Sequence, residues 1–431
     1  MKQQKLIVLS IDAMIEDDLE EAKHLPTFNN FISNGAMTKG LKSVYPTMTY
    51  ACHTAMSTGC YPYKNGITNN YQVIPGKLNL PWYWFRDAVQ CQDIFDACKR
   101  KNLTTAAVGW PVTGNHKNID YLVDEIWPYE VEDVAKNYKK AYLQSGTSPE
   151  LYEKAVAPYI DMRVGRKQPQ SSFFLINVAC EIIKAHQPDL MLIHIGHIDK
   201  YRHLNGVYAD KIKDGIMECE PMLEKLVNQT KDCGIYEQTN FVITSDHGQI
   251  DVDKIFRPNV VLQKHGLITL DQNEKVVDWD CWCASADASA QIYFKNPSDQ
   301  ALIKRVYDIF DKISRQKNSG ISAVYTAEEA NSKYKLDGDF SLVLETDGTT
   351  IISNEWTGEV LNKKDKRTGT HGHNPDLGPC PIFIGYGPAF KKGAIASNAK
   401  LVDGAPTYAH ILGTDLPQAD GKVLYELLKG E

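Results

Sequence analysis

Residues 45–70, YPTMTYACHTAMSTGCYPYKNGITNN, are accompanied by four short segments that carry carboxylates and imidazoles. These are LSIDAM (9–14), HIDKYRH (197–203), TSDHGQ (244–249) and GTHGHNP (369–375). They supply Asp12, Asp199, His203, Asp246, His247 and His371. Zinc takes imidazole nitrogen and carboxylate oxygen, and a catalytic site keeps one position open. The set is large enough for two adjacent divalent metals, and two metals about 4 Å apart clamp the attacking and leaving oxygens of a phosphoryl transfer.

A hydroxyl nucleophile completes that chemistry. Threonine is a poor nucleophile at neutral pH until a metal lowers its pKa. Thr49 is the candidate, with Thr47 and Thr54 as neighbours that residue chemistry alone does not exclude. Thr49 also reads as the N-cap of a helix beginning near Tyr50. Such a helix start would itself favour a phosphate. Asn70 can donate an amide N–H to a non-bridging phosphate oxygen, and Asn69 is its rival. Taken singly, Asp199-x-x-x-His203 and Asp246-His247 fit a surface turn as well as a ligand pair. His194, His197 and His373 include candidates for the polar shell that stands behind metal ligands.

The elements that must position these groups alternate between strand and helix. KLIVLSID (5–12), TTAAVGW (104–110), DLMLIHIG (189–196), NFVITSDHG (240–248) and CPIFIGYGPAF (380–390) read as strands. The first of these is a continuous apolar run, as expected for a parallel strand covered on both faces. Residues 92–102, 172–187, 208–234 and 403–413 carry helical spacing. Asp12, Asp199 and Asp246 each fall at or just past the end of an apolar strand, where open parallel sheets form ligand sites. The expected fold class is α/β, a mostly parallel central sheet flanked by helices.

Residues 258–368 differ in character and hold none of the ligand candidates. They read as an inserted α+β cap module, β-α-β-β, within a core made of 1–257 and 369–431. A second polar stretch, about 111–165, reads as an addition to the cap.

Composition limits the function classes. The 431 residues are 43% hydrophobic and 23% charged, as in a soluble globular protein. A net charge of -7 argues against a broad face for duplex nucleic acid. No apolar run approaches the ~20 residues needed to span a bilayer. MKQQKLIVLSIDAM reads as a buried strand rather than a signal peptide. The ten scattered cysteines then read as free thiols, and a cytoplasmic location is expected. Cys281-Trp282-Cys283 lacks the C-x-x-C spacing of a zinc or redox motif.

These residues resemble the nucleotide pyrophosphatase/phosphodiesterase family of the alkaline phosphatase superfamily. The resemblance runs through Pro46-Thr47-Met48-Thr49-Tyr50, Thr58-Gly59-Cys60-Tyr61-Pro62, and Asn65-Gly66-Ile67 before Asn70. The DxxxH, SDHG and HG segments follow in the family's order, and Asp403-Gly404-Ala405-Pro406-Thr407 resembles its D-x-A-P-T segment. The resemblance implies an alkaline-phosphatase-like core and two zinc ions. One would be held by Asp199, His203 and His371, the other by Asp12, Asp246 and His247. It further implies Thr49 as nucleophile on the second metal, Asn70 as phosphate-oxygen donor, and a covalent phosphothreonine intermediate released by hydrolysis. Two departures stand out. The aromatic residue that nucleotide-binding members carry five positions before the DxxxH aspartate is here His194. The family's Pro-Asn after the aromatic Tyr50 is here Ala51-Cys52.

The expected activity is cleavage of a phosphodiester or pyrophosphate bond in a small, nucleotide-like substrate. The rivals are a phosphonate or phosphomonoester hydrolase on the same core, a phosphate-transferring mutase, and a metal-binding protein without catalysis. A monoesterase needs a cation for the extra phosphate charge, and Arg202 is the one arginine inside the ligand segments.

Overall fold

The apolar run at the start of the chain forms the strand Lys5–Ile11, buried from Leu6 onward. In this computed structural model, which describes residues 3–128, 134–163 and 167–430, the strand lies inside an eight-stranded sheet. It pairs in parallel with Leu190–Ile195 on one side and Thr239–Thr244 on the other. Thr105–Val108 and Tyr121–Val123 continue the parallel sheet beyond Leu190–Ile195. Beyond Thr239–Thr244 comes Phe383–Tyr386, which runs antiparallel, followed by Ala36–Lys39 and Ile395–Ser397. The mostly parallel sheet is thus present, with one strand reversed.

Successive side chains of a strand point to opposite faces. Ile7, Leu9 and Ile11 accordingly join one hydrophobic cluster, with Phe28, Phe174 and Leu223. Leu6 and Val8 join the other, with Met56, Phe95 and Tyr408. The helices Pro26–Asn34, Gln170–His186 and Lys211–Asp232 cover the first face. Thr49–Thr58, Ile94–Arg100 and Gly404–Ile411 cover the second. This double cover is why the central strands read as unbroken apolar runs. No helix among the described residues is long and apolar enough to cross a membrane.

Within 258–368, four strands form an antiparallel sheet in the order Cys281–Ala286, Ser289–Phe294, Leu342–Thr346, Ile321–Thr326. The helices Gln300–Ser314 and Ala327–Tyr334 accompany it. Two of these elements lie outside the β-α-β-β pattern expected from the sequence. Cys281–Ala286 is buried at every position, so it shows no alternation. Ala327–Tyr334 is short, but the Thr326/Glu329 capping box marks its start. A three-stranded sheet places Ile250–Phe256 between Thr350–Ile352 and Leu361–Thr370. In the stretch 111–165, Tyr138, Tyr142 and Tyr152 pack into the same cluster as Phe174. Two parts of that stretch, 129–133 and 164–165, lie outside the described residues.

One buried ion pair ties the DxxxH helix, His197–Asn205, to the segment after the first strand. Arg202 is fully buried, and its Nη2 donates to both oxygens of Asp18, at 2.7 and 2.6 Å. Its Nε donates to the Ala13 carbonyl and its Nη1 to that of Val207. Removing one partner of a buried pair leaves the other charge uncompensated, at a cost of about 3–5 kcal/mol. Asp18→Ala should therefore lower urea-unfolding stability by about that amount. Glu150→Gln, at the exposed Lys154–Glu150 pair, should leave the unfolding midpoint in place. Equal midpoints for the two variants would contradict the anchoring role of Arg202.

Candidate active site

The carboxyl ends of three adjacent parallel strands deliver the acids. Asp12 follows Lys5–Ile11, and its N–H bonds the Ile195 carbonyl of the neighbouring strand at 2.9 Å. Asp199 lies in the first turn of the helix that follows Leu190–Ile195, with His203 one turn on along the same face. Asp246 and His247 follow Thr239–Thr244, and His371 follows Leu361–Thr370. All the sequence-derived ligand candidates thus converge.

Their ligand atoms form two overlapping groups. Those of Asp199, His203 and His371 lie within 4.8 Å of one another, as do those of Asp12, Asp199 and His247. His203 Nε2 is 3.2 Å and His371 Nε2 3.8 Å from Asp199 Oδ1. His247 Nε2 is 3.5 Å from Asp12 Oδ1 and 3.2 Å from Asp246 Oδ2. Each imidazole has its Nδ1 on a backbone carbonyl: His203 on Gly369, His247 on Gly248, His371 on Thr47. With Nδ1–H donating, Nε2 presents its lone pair to the carboxylates. Asp12 Oδ1 and Asp246 Oδ2 are buried and accept no hydrogen bond among the described residues. Acceptors facing acceptors in a buried pocket is the arrangement a divalent cation resolves, so the donor set fits zinc.

The electrostatics agree. Burial pushes Asp12 well above the usual carboxylate range, and the Asp246 and Asp199 charges push it further. Burial pushes Asp246 up to about 7. Burial and the neighbouring His371 hold His247 well below an ordinary histidine. Burial opposes charge on His203, but Asp199 overrides it and raises the imidazole to about 9. Burial likewise disfavours the Asp199 carboxylate, yet His203 and His371 bring it below its ordinary value.

Thr49 is the first residue of Thr49–Thr58 rather than its cap; Met48 holds that position without a side-chain bond. The helix start is instead capped by Asn70, whose Oδ1 accepts from Tyr50 N at 2.8 Å. The Thr49 hydroxyl is thereby left free of capping. It lies 3.3 Å from His247 Nε2 and lines a cavity of about 560 Å³. Thr47 donates to the His373 carbonyl, and Thr54 is buried away from the cavity lining. Asn70 lines the cavity, whereas both ends of the Asn69 amide bond to backbone, at Ser285 and Asn70.

Of the further histidines, His194 stands in the cavity wall, its Nε2 3.2 Å from Asp12 Oδ2. His197 is a core residue between Ser172 Oγ and the Gly215 carbonyl, held down to about 4 by burial. His373 packs under Thr47, and burial holds it down to about 3.

Several neighbours of the site escaped the sequence analysis. His53, one turn after Thr49, is fully buried and joins the Thr49 carbonyl (2.8 Å) to Ser10 Oγ (2.9 Å). It also lies 3.4 Å from Asp246 Oδ2. Its i, i+4 spacing from Thr49 was the available signal. Gln249, inside the TSDHGQ segment, donates to Asp199 Oδ1 at 2.5 Å. Asp287, from the inserted stretch, comes within 3.9 Å of His371 Nε2. Glu125, Arg163 and Ser171 line the cavity from segments without any motif. In the run of four aromatics Trp82-Tyr83-Trp84-Phe85, Trp82 and Trp84 both pack on Trp127, and Trp82 alone of these two reaches the cavity, beside Tyr50 (ring centroids 5.2 Å apart).

Sheet and site together define an α/β protein with a candidate metal centre at the carboxyl edge of its parallel strands. The chain belongs to the type I phosphodiesterase / nucleotide pyrophosphatase family, whose model matches residues 6–374. Among curated relatives, the human bis(5'-adenosyl)-triphosphatase ENPP4 is 24% identical over 421 residues, 95% of this chain and 78% of that one. Venom phosphodiesterase 2 of Crotalus adamanteus is 23% identical over 263 residues, 58% of this chain and 27% of that protein. Murine ectonucleotide pyrophosphatase / phosphodiesterase 5 superposes with a TM-score of 0.69 at 19% identity, over 99% of this chain and 100% of that one. Its inactive threonine-to-alanine variant, solved in complex with AMP, gives 0.70 at the same identity and coverage. The solved structures establish the shared fold; the family establishes a hydrolytic enzyme.

Metal uptake should release protons. Asp246 holds its proton up to about 7 and His203 up to about 9, and each would have to lose it to bind a metal ion. Affinity for chelator-buffered zinc should therefore rise as pH increases through that window, with proton release visible in weakly buffered titration. An affinity independent of pH would contradict this assignment of the ligands.

Proposed function

We propose that the protein is a two-metal hydrolase that cleaves phosphodiester or pyrophosphate bonds through Thr49. The observation that carries this reading is the uncapped Thr49 hydroxyl, 3.3 Å from His247 Nε2, at the edge of carboxylate oxygens that have no hydrogen-bond partner among the described residues. Asp199, His203 and His371 would hold one ion; Asp12, Asp246, His247 and the Thr49 oxygen would hold the other. Bound divalent ions, zinc by ligand preference, supply Lewis acidity that makes an alkoxide accessible and offsets phosphate charge.

The chain's own groups do the rest. Thr49 Oγ1 forms a bond to phosphorus as the bond to the leaving oxygen breaks, giving a phosphothreonine and a free alcohol or phosphate. Water then displaces Thr49 from phosphorus and restores the hydroxyl. Asn70, with Oδ1 fixed by Tyr50 N, has its amide nitrogen available for a non-bridging oxygen. His53 holds the Thr49 carbonyl and so fixes the first turn of the helix.

Relatives named for bis(5'-adenosyl) triphosphate and solved with AMP support a nucleotide-like substrate. Tyr50 and Trp82 supply aromatic surface for a flat group. Arg202 is spent on Asp18 and gives no cation to the cavity, which favours a diester. Arg163 reaches the cavity from outside the ligand segments, so a phosphomonoester is the second reading. Parallel assays on bis-p-nitrophenyl phosphate, p-nitrophenyl phosphate, p-nitrophenyl-TMP and phosphonoacetate, with zinc added, separate these reactions.

Thr49→Ala should retain about two metals per chain and lose at least ~10²-fold in rate. Near-normal turnover with metal retained would point to another nucleophile. Tyr50→Ala and Trp82→Ala should raise KM for aromatic diesters more than for small alkyl diesters. Trp84→Ala, outside the cavity lining, should change both substrate types alike. Equal effects at all three positions would assign the aromatic run to packing alone.

A further inference from the structure

One wall of the cavity takes no part in the phosphate chemistry. Arg163, at the end of the helix Ile160–Arg163, is 5% exposed and lines this wall. Its Nε reaches the Tyr142 hydroxyl at 3.4 Å, and its guanidinium carbon lies 5.9 Å from the centre of the Tyr138 ring. Its two terminal nitrogens make no hydrogen bond or ion pair among the described residues. Ser171, on the first turn of Gln170–His186, is 1% exposed, lines the same cavity, and has a hydroxyl without a partner. Glu125 completes the wall. Its Oε1 is 3.9 Å from His194 Nδ1, and its Oε2 is buried without a partner.

A guanidinium only donates hydrogen bonds and a carboxylate only accepts them. Leaving either buried and unpaired is costly. Here a cation and an anion share one cavity without pairing to each other, so the complementary ligand carries both charges in the opposite order. The first turn of a helix beside Ser171 adds positive potential on the Arg163 side. The wall begins just past the His194 ring, whose other nitrogen is 3.2 Å from Asp12 Oδ2. A short carbon chain on one ester oxygen spans that gap. Tyr71, Trp82 and Asp287 line this cavity and also border a second one of about 700 Å³, with Leu80 and Ile352, which has room for the second ester arm.

We propose that Arg163, Ser171 and Glu125 form a subsite for a zwitterionic arm of the substrate, resting on the diesterase reading above. Arg163 and Ser171 take a carboxylate, and Glu125 takes the adjacent ammonium. The substrate class is a phosphodiester of a short amino-acid alcohol.

The test compares the phosphodiesters of glycerol with serine, ethanolamine, glycerate and a second glycerol. Phosphomonoester release is followed by phosphorus NMR, whichever ester bond breaks. In the zinc-loaded wild type, kcat/KM for the serine diester should exceed that for the glycerol diester by about ten- to a hundred-fold, the value of charged hydrogen bonds in a buried site. Arg163→Met should erase the preference for carboxylate, seen with serine and glycerate, relative to glycerol. Glu125→Gln should erase the preference for ammonium, seen with serine and ethanolamine. Ratios within one variant cancel any loss of folded protein. The subsite is overturned if each variant changes all four substrates by a common factor, or if p-nitrophenyl-TMP outcompetes the serine diester in the wild type. Failure to cleave bis-p-nitrophenyl phosphate as well would remove the diesterase reading and the subsite with it.

Discussion

Carboxylates brought together away from water repel one another, and the rest of this structure depends on how that repulsion is arranged. Asp12 and Asp246 are both buried and both raised above the ordinary range. Asp199 escapes because two imidazoles face it. Desolvation alone would push all three toward the neutral acid. Positive charge entering between them would relieve that pressure. Three imidazoles with Nε2 turned inward, and carboxylate oxygens left without donors, are the two halves of that same requirement.

The parallel sheet meets the requirement cheaply. Neighbouring parallel strands end at one edge, so residues distant in sequence arrive within a few ångströms without long loops. The precision comes from the groups behind. Backbone carbonyls on the Nδ1 side choose the tautomer of His203, His247 and His371. Ser43 Oγ holds the Asp246 carbonyl at 2.6 Å, and Gln249 holds Asp199. Arg202 spends its charge on Asp18, fixing the helix that presents Asp199 and His203 together. Each of these supports spends at least one donor on the group it orients.

Much of this was legible in the sequence. Asp12, Asp199 and Asp246 announced themselves as acids at the ends of apolar runs, because central parallel strands need no polar face. The pairing of Asp199 with His203 followed from helical spacing. What stayed hidden was whatever depends on side chains from unrelated segments meeting. Thr49 looked like a helix cap, since only the fold brings Asn70 to that role. Cys281–Ala286 has no alternation to detect, because both of its faces are covered. Arg163, Ser171 and Glu125 carry no motif at all. Their meaning lies in polar atoms that find no hydrogen-bond partner among the described residues, a property of the folded surface rather than of any local pattern.

The stretch 258–368 shows the same limit from the other side. Its composition and lack of ligand candidates set it apart from the core. Its hairpin nevertheless braces the His371 segment: Ala288 N donates to the His371 carbonyl at 2.9 Å, and Ser289 Oγ to that of Gly372 at 2.6 Å. Gly372 has φ +81°, and a Cβ there would stand 1.7 Å from the Ala286 carbonyl oxygen. Only glycine permits so close an approach of two backbones. Asp287, at the tip of that hairpin, is delivered to both the cavity that Thr49 lines and the adjoining one by this contact. Residues 258–368 therefore border both cavities and hold the His371 segment at the same time. Changes in this stretch that reshape the space between the two cavities must keep the backbone contact at Gly372, or the geometry of His371 is lost with it.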